Sequence, residues 1–81
     1  MISVSDKSRL QVGLKQVKRA LNDNKAEKVF VASDCDDSIC RQIQSLCEEK
    51  GVQFNEVATM RELGTMCGIE VKASCAAVLK Y

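Results

Sequence analysis

The stretch that decides the fold of this chain is Leu10-Gln-Val-Gly-Leu-Lys-Gln-Val-Lys-Arg-Ala-Leu21. Its first residues, Leu10–Val12, predict a short strand that ends at Gly13. After the glycine, apolar side chains recur at i, i+3, i+6 and i+7, which is the spacing of one helix face. These side chains are Leu14, Val17, Ala20 and Leu21. The stretch therefore predicts a strand, a turn and a helix, and similar alternation continues along the rest of the chain.

The start of this helix is a candidate site for an anion. Gly13 lets another backbone come close and leaves the first amide N–H groups free. Those groups and the helix dipole favour a phosphate, and Lys15 and Gln16 offer donors to base edges beside them. Lys18 and Arg19 also lie on the polar side. An ordinary amphipathic helix with a solvated basic face has the same pattern, so both interpretations stay open.

Length and composition indicate one ordinary globular domain, which we expect to span residues 1–81. The chain is 46% hydrophobic and 28% charged. It has no apolar run near the length of a membrane span, and Met1–Gln11 is too polar for a signal peptide. We therefore expect a cytoplasmic monomer with no membrane partner.

The five cysteines favour neither a metal site nor a disulfide framework. Their number is odd, no two are spaced C-x-x-C, and the chain has no histidine. Cys35, at a predicted helix start, has either a lowered thiol pKa or the character of an inert buried thiol. Asp34, Asp36 and Asp37 are interpreted as helix caps rather than metal ligands. Without a paired nucleophile and base, we expect no catalytic residue, metal or cofactor.

The charge is unevenly distributed. Residues 1–28 hold seven basic and three acidic side chains, whereas residues 29–81 hold five basic and eight acidic ones. The net charge of +1 therefore conceals a basic N-terminal third. A local patch for a polyanion is the interpretation of this asymmetry.

The elements before the midpoint follow from caps and periodicity. Ser3–Arg9 is predicted to be a short helix, and the helix after Gly13 ends near residues 22–24. Lys28–Ser33 is β-branched and aromatic, as is typical of a buried strand. The polar turn Asp34–Asp37 can cap a helix that runs to about Lys50 and ends at Gly51.

The second half repeats the alternation. Val52–Val57 is predicted to be a strand with a register change, and Thr59 caps a helix that Gly68 ends. Residues 69–72 form a loop, and Ala73–Leu79 is the last strand. The predicted fold class is α/β, a three-layer α/β/α sandwich around a small mixed four-stranded sheet.

Three segments resemble the kink-turn-binding ribosomal protein family of archaeal and eukaryotic ribonucleoproteins, and most of all its small bacterial members of the YbxF type. The resemblance covers about Arg9 to Leu79. The segments are Gly13-Leu-Lys-Gln-Val-Lys-Arg19, Val31-Ala-Ser-Asp-Cys-Asp36, and Leu46-Cys-Glu-Glu-Lys-Gly-Val52 together with Leu63-Gly-Thr-Met-Cys-Gly-Ile69. Their order and spacing together carry the resemblance.

The resemblance implies a protein that binds kink-turns, which are RNA helices bent at a three-nucleotide bulge beside tandem sheared G·A pairs. In the family, the glycine-bearing helix enters the major groove at the G·A pairs, and the loop before the last strand covers the bulge. The implied partner is a structured RNA, either ribosomal or riboswitch-like. RNA contact is thereby implied for Gly13, Leu14, Lys15, Gln16, Arg19, Asp36, Ile69, Glu70, Val71 and Lys72.

The chain departs from the family pattern at three places. Lys15 and Gln16 replace an Asn-Glu pair, so the base contacts of archaeal members do not transfer directly. Met60 stands where many members have lysine. Val71-Lys72 replaces Arg-Pro, which changes what the loop presents.

Three classes of function follow. The first is kink-turn recognition, and the second is a protein-interaction module on the same fold without specific RNA binding. The third, a thiol enzyme, has the least support. In the loop, Ile69 and Val71 either contact unstacked bases or simply pack onto the core.

Overall fold

Strands and helices alternate along the computed structural model, which describes residues 9–80. The elements are β1 (Leu10–Val12), α1 (Leu14–Asn22), β2 (Ala26–Ala32), α2 (Asp37–Lys50), β3 (Gln53–Val57), α3 (Met60–Cys67) and β4 (Cys75–Leu79). The helix predicted over Ser3–Arg9 lies outside the described residues, except for Arg9. No helix within residues 9–80 combines the length and the apolar character that a membrane span requires.

The four strands form one mixed sheet in the order β1-β4-β2-β3. β4 runs antiparallel to both β1 and β2, whereas β2 and β3 are parallel. The ends of β1, β2 and β3 and the start of β4 therefore lie along the same edge of the sheet. We call this the loop edge, and it comprises Gly13, residues 33–36, residues 58–59 and residues 69–74.

Helices cover both faces of the sheet. Four consecutive residues of β2, numbers 29–32, are buried, although successive side chains of a strand point to opposite faces. Phe30 lies beside Met66 of α3, and Val31 lies beside Cys40 of α2. α1 packs against α2, so these two helices form one layer and α3 the other. The predicted three-layer α/β class is confirmed.

Apolar side chains from every layer build one continuous core. Leu21 of α1, Ile43 of α2 and Leu63 of α3 are all fully buried. Each contributes roughly 1.5–3 kcal/mol by leaving water. Ala76 and Ala77 of β4 are also fully buried, and their small side chains let helices approach the centre of the sheet.

The predicted helix ends are largely confirmed. Gly51 and Gly68 follow α2 and α3 in the left-handed conformation, with φ of 67° and 76°. Asn24 takes the same role after α1, with φ of 58°. At the start of α3, the Thr59 hydroxyl accepts a hydrogen bond of 3.0 Å from the Glu62 N–H.

The predicted bounds of β2 and β4 are wrong by two residues at their starts. β2 begins at Ala26, because Ala26 pairs with Leu79 of β4 on the far side of an irregularity in the ladder. β4 begins only at Cys75. The backbone before Cys75 is bonded to α3 instead of to a neighbouring strand, since the Ala73 N–H donates to the Met60 carbonyl at 3.1 Å.

The register change predicted within β3 is absent. β3 pairs with β2 without interruption over its whole length, so Phe54 and Val57 simply point to opposite faces. Both faces are covered by helices, and each side chain therefore finds an apolar partner. Val52 lies outside the strand because its N–H donates to the Cys47 carbonyl and closes the end of α2.

Candidate nucleic-acid interface

α1 begins at a glycine whose backbone conformation excludes other residues. Gly13 has φ of 108° and ψ of 153°, a region that is essentially restricted to glycine. Its N–H donates to the Cys75 carbonyl at 3.0 Å, which fixes the helix start to β4. Within residues 9–80, no side chain caps the helix. The first-turn N–H groups, which have no acceptor earlier in the helix, remain available to an external acceptor.

Two exposed polar side chains surround this helix start. Lys15 and Gln16 are both exposed, and the Gln16 side chain folds back over Gly13. A Cβ added to Gly13 would lie 2.8 Å from the Gln16 Oε1 atom. Leu14 is half-buried and packs against the core, so only part of its side chain is accessible. Arg19 is exposed one turn further along and shares a groove of about 200 Å³ with Gln16.

The third cation of this helix is not part of the exposed set. Lys18 is half-buried, and its ammonium donates to the Gln42 Oε1 atom of α2 at 2.9 Å. The side chain therefore ties the two helices of one layer together. Sequence periodicity places Lys18 on the polar side of α1, but the position of α2 is not visible in that pattern.

The acidic turn between β2 and α2 differs from the prediction. Asp36 is the first residue before α2 and is exposed, but within residues 9–80 its side chain caps no helix N–H. Asp34 is bonded instead to a different helix, since its Oδ1 accepts from the Met60 N–H of α3 at 2.7 Å. A carboxylate at that position complements the positive end of α3. The turn is thus fastened to the opposite layer of the sandwich.

The two apolar residues of the loop before β4 differ in their exposure to solvent. Ile69 is half-buried and packs against the core. Val71 is 69% exposed, although it is a large apolar residue. Glu70 and Lys72 are exposed on either side of it. Packing onto the core therefore accounts for Ile69 and leaves Val71 unexplained by folding alone.

α3 holds this loop through its backbone. The Ile69 N–H donates to the Gly64 carbonyl at 3.1 Å, and Ala73 is bonded to Met60 as described above. Gly64 is buried, and a Cβ there would collide with the carbonyl oxygen of Val71. A glycine is thus needed in the middle of a helix so that the loop can lie against it.

The buried thiols of Cys35 and Cys47 are not activated. Burial raises the pKa of the Cys35 thiol to about 12, and its hydrogen bond with Cys40 adds to the effect. The two sulfur atoms are 2.9 Å apart. Burial also raises the pKa of Cys47 to about 11. The lowered pKa considered for Cys35 is therefore contradicted, and residues 9–80 contain no cluster of potential metal ligands.

The topology brings most of the predicted site residues to one place. Gly13, Asp36 and residues 69–72 all belong to the loop edge, and Lys15 and Gln16 extend from it along α1. Sequence reasoning missed Gly64, which positions the loop, and Arg61, which lines a groove beside it. The Leu-Gly-x-x-x-Gly pattern of residues 63–68 was the available signal for Gly64. Nothing in the local sequence distinguished Arg61 from other surface cations.

Known proteins share the sequence pattern and the fold of this chain. The profile of the Ribosomal protein L7Ae/L30e/S12e/Gadd45 family matches residues 2–81. The chain belongs to this family. The family resemblance inferred from the three sequence segments is confirmed.

Curated bacterial relatives are similar over most of their length. An RNA-binding protein of Caldanaerobacter subterraneus is 42% identical over 66 residues, which are 82% of this chain and 80% of that protein. The RNA-binding protein YbxF of Geobacillus stearothermophilus is 35% identical over 72 residues, or 89% of this chain and 88% of that protein.

A solved structure shows the same arrangement of elements. The 15.5kD RNA binding protein of Giardia lamblia superposes with a TM-score of 0.84 at 28% sequence identity. The match covers 91% of this chain and 62% of the Giardia chain. The fold is thus shared with a longer protein, of which this chain spans about three fifths.

Proposed function

We propose that this chain is an RNA-binding protein that recognises kink-turns and stabilises their kinked form. Its family membership and its relatives, which are named as RNA-binding proteins, support binding to RNA. The narrower specificity for kink-turns rests on the chemistry of the loop edge.

One observation carries the proposal: an uncapped helix start with exposed Lys15 and Gln16 lies at the same edge as the exposed apolar Val71. Regular A-form RNA hides its major-groove base edges from side chains, so a reader of those edges needs a deformed helix. Lysine donates to bases, whereas glutamine both donates and accepts. An apolar surface beside them suits the face of an unstacked base.

Each group of site residues has a role in this proposal. Gly13 lets the RNA backbone approach the helix start, and Leu14 adds an apolar contact there. Lys15 and Gln16 meet the edges of the G·A pairs, and Arg19 binds a phosphate one turn further along. The loop residues Ile69, Glu70, Val71 and Lys72 cover the bulge, and Asp36 lies near the bulge pocket.

The setting of this activity is also proposed. The chain acts as a single domain over residues 1–81, as a monomer, in the cytoplasm. Its partner is a ribosomal or riboswitch-like RNA that contains a kink-turn. No catalysis and no cofactor is part of this function.

A titration at fixed salt tests the proposal. One RNA contains a kink-turn, and the control RNA has its G·A pairs changed to Watson–Crick pairs. We expect tight binding to the first and a large loss on the control. Weak and equal binding to both would overturn the proposal and favour a protein-interaction module on the same fold.

A further inference from the structure

A groove of about 460 Å³ is formed by the exposed side of α3 and by the loop that precedes β4. One wall is formed by Arg61 and Thr65, which are one helical turn apart on the exposed side of α3. Residues 69–72 form the other wall. The volume falls within the range of pockets that hold small organic ligands, and a nucleotide is a ligand of this size class.

The groove is preformed because both ends of the loop are fixed to α3. Gly64 has no side chain, so the backbone at Val71 lies directly against the helix. The hydrogen bonds from Ile69 to Gly64 and from Ala73 to Met60 hold the loop on either side of that contact. The loop is therefore already ordered before a ligand binds, which lowers the entropy cost of binding.

The charges of the lining side chains favour an anion. Arg61 and Lys72 are both exposed cations, and Glu70 is the single acid that lines the groove. Within residues 9–80, the Arg61 guanidinium forms no salt bridge with a carboxylate. A guanidinium presents a planar fork of donors that matches the two free oxygens of a phosphodiester.

The neighbouring residue cannot provide this cation. Met60, the residue before Arg61, is apolar, and its side chain is half-buried against the core. Arg61, the next residue, is exposed and faces the groove. Arg61 is therefore the cation that α3 presents to the groove.

We propose that Arg61 is a further RNA-binding residue: together with Lys72 it binds the phosphodiester of an unpaired nucleotide that lies in the groove between α3 and the loop, with its base against Val71. This assignment rests on the proposed function, because the unpaired nucleotide comes from the bulge of a kink-turn.

The test compares Arg61→Gln with Lys80→Gln, because Lys80 is an exposed cation after β4, at the opposite end of the sheet from the loop edge. Both variants lose one positive charge, and circular dichroism first establishes that both remain folded. Binding to a kink-turn RNA is then measured at several salt concentrations. We expect Arg61→Gln to weaken binding about tenfold and to reduce the slope of log K against log salt by about 1. Lys80→Gln should change neither quantity appreciably.

A chemically modified RNA identifies the group that Arg61 contacts. Each phosphodiester of the bulge is replaced in turn by an uncharged methylphosphonate. At one position, wild type and Arg61→Gln should bind the modified RNA equally, because the partner of the guanidinium is gone. A persistent tenfold difference at every position would overturn the assignment, as would identical affinity and salt slope for wild type and Arg61→Gln on natural RNA. Failure of the wild type to prefer a kink-turn would instead overturn the proposed function itself.

Discussion

Gly13 shows how a single residue fixes the geometry of the candidate site. Its φ of 108° places it where an L-residue is strained, and a side chain there would also meet Gln16. Gly13 thus allows the sharp backbone turn before α1 and, because it has no side chain, leaves the first N–H groups of the helix uncapped. This requirement explains why a glycine occupies a position where a serine or aspartate would normally cap a helix.

We expect Gly13→Ala to lower the free energy of unfolding by about 2–3 kcal/mol, because alanine is strained in this region. Gly51→Ala is the matched control. Gly51 has an ordinary left-handed φ of 67° and nothing within 4 Å of an added Cβ, so we expect a loss of about 1 kcal/mol. Urea unfolding measures both. An equal or larger loss at Gly51 would contradict the role given to Gly13.

Lys15 and Gln16 are the residues expected to contact bases. Lys15→Ala and Gln16→Ala should each weaken kink-turn binding by about 1–3 kcal/mol, as loss of a specific base contact does. Lys80→Ala, at the far end of the sheet, should have almost no effect. Equal small losses in all three variants, measured by titration at one salt concentration, would show that the helix start is not the recognition site.

The buried thiols make stability depend on pH in the alkaline range. Burial raises the native pKa of Cys47 to about 11, above that of an unfolded thiol. Between those two values the unfolded chain releases a proton that the native chain keeps, so stability falls as pH rises. We expect urea unfolding under reducing conditions to show this decline above about pH 9, and Cys47→Ala to make it shallower. A decline as steep in the variant as in wild type would contradict this assignment.

At the scale of elements, α3 acts as the support for the loop before β4. The loop is hydrogen-bonded to α3 at Gly64 and Met60. At the N-terminus of α3, backbone N–H groups donate to the Asp34 carboxylate and to the Thr59 hydroxyl. Three separate segments of the loop edge therefore converge on one eight-residue helix. The position of Val71 follows from this convergence rather than from the sequence of the loop.

We expect Gly64→Ala to destabilise the protein by about 1–3 kcal/mol, because its Cβ collides with the Val71 carbonyl. The direction of the stability change is informative, because glycine to alanine in an unconstrained helix stabilises a protein by about 1 kcal/mol. Amide chemical shifts of residues 69–73 should move as the loop is displaced. A stabilised variant with unchanged shifts would contradict the role given to Gly64.

Most helix ends could be predicted from sequence because their signals are local. Thr59, Gly51 and Gly68 cap their helices through residues within one or two turns. The strand starts could not be predicted equally well. Whether Ala26 and Ala73 belong to strands depends on partners more than ten residues away, which no local pattern contains.

At the scale of the whole molecule, the sheet order assembles the candidate site. Alternation of elements predicts an α/β sandwich, but it does not specify that β4 lies between β1 and β2. That insertion brings the start of β4, and with it the end of the loop before it, beside Gly13. The family resemblance, and not the local sequence pattern, predicted that these residues contact one RNA. The roles of Arg61 and Lys18 could not be predicted from the sequence. Arg61 lines a groove with the loop before β4, and Lys18 is bonded to Gln42 of α2, so both roles depend on tertiary packing.

Binding that favours the kinked RNA must shift the RNA toward that form by linkage. The most direct measurement is fluorescence resonance energy transfer across a doubly labelled kink-turn RNA in the absence of any cation that folds it. Titration with this protein should raise the transfer efficiency to the value of the kinked state, while the RNA with Watson–Crick pairs in place of G·A pairs should stay extended. A kink-turn RNA that stays extended at saturating protein would contradict the account.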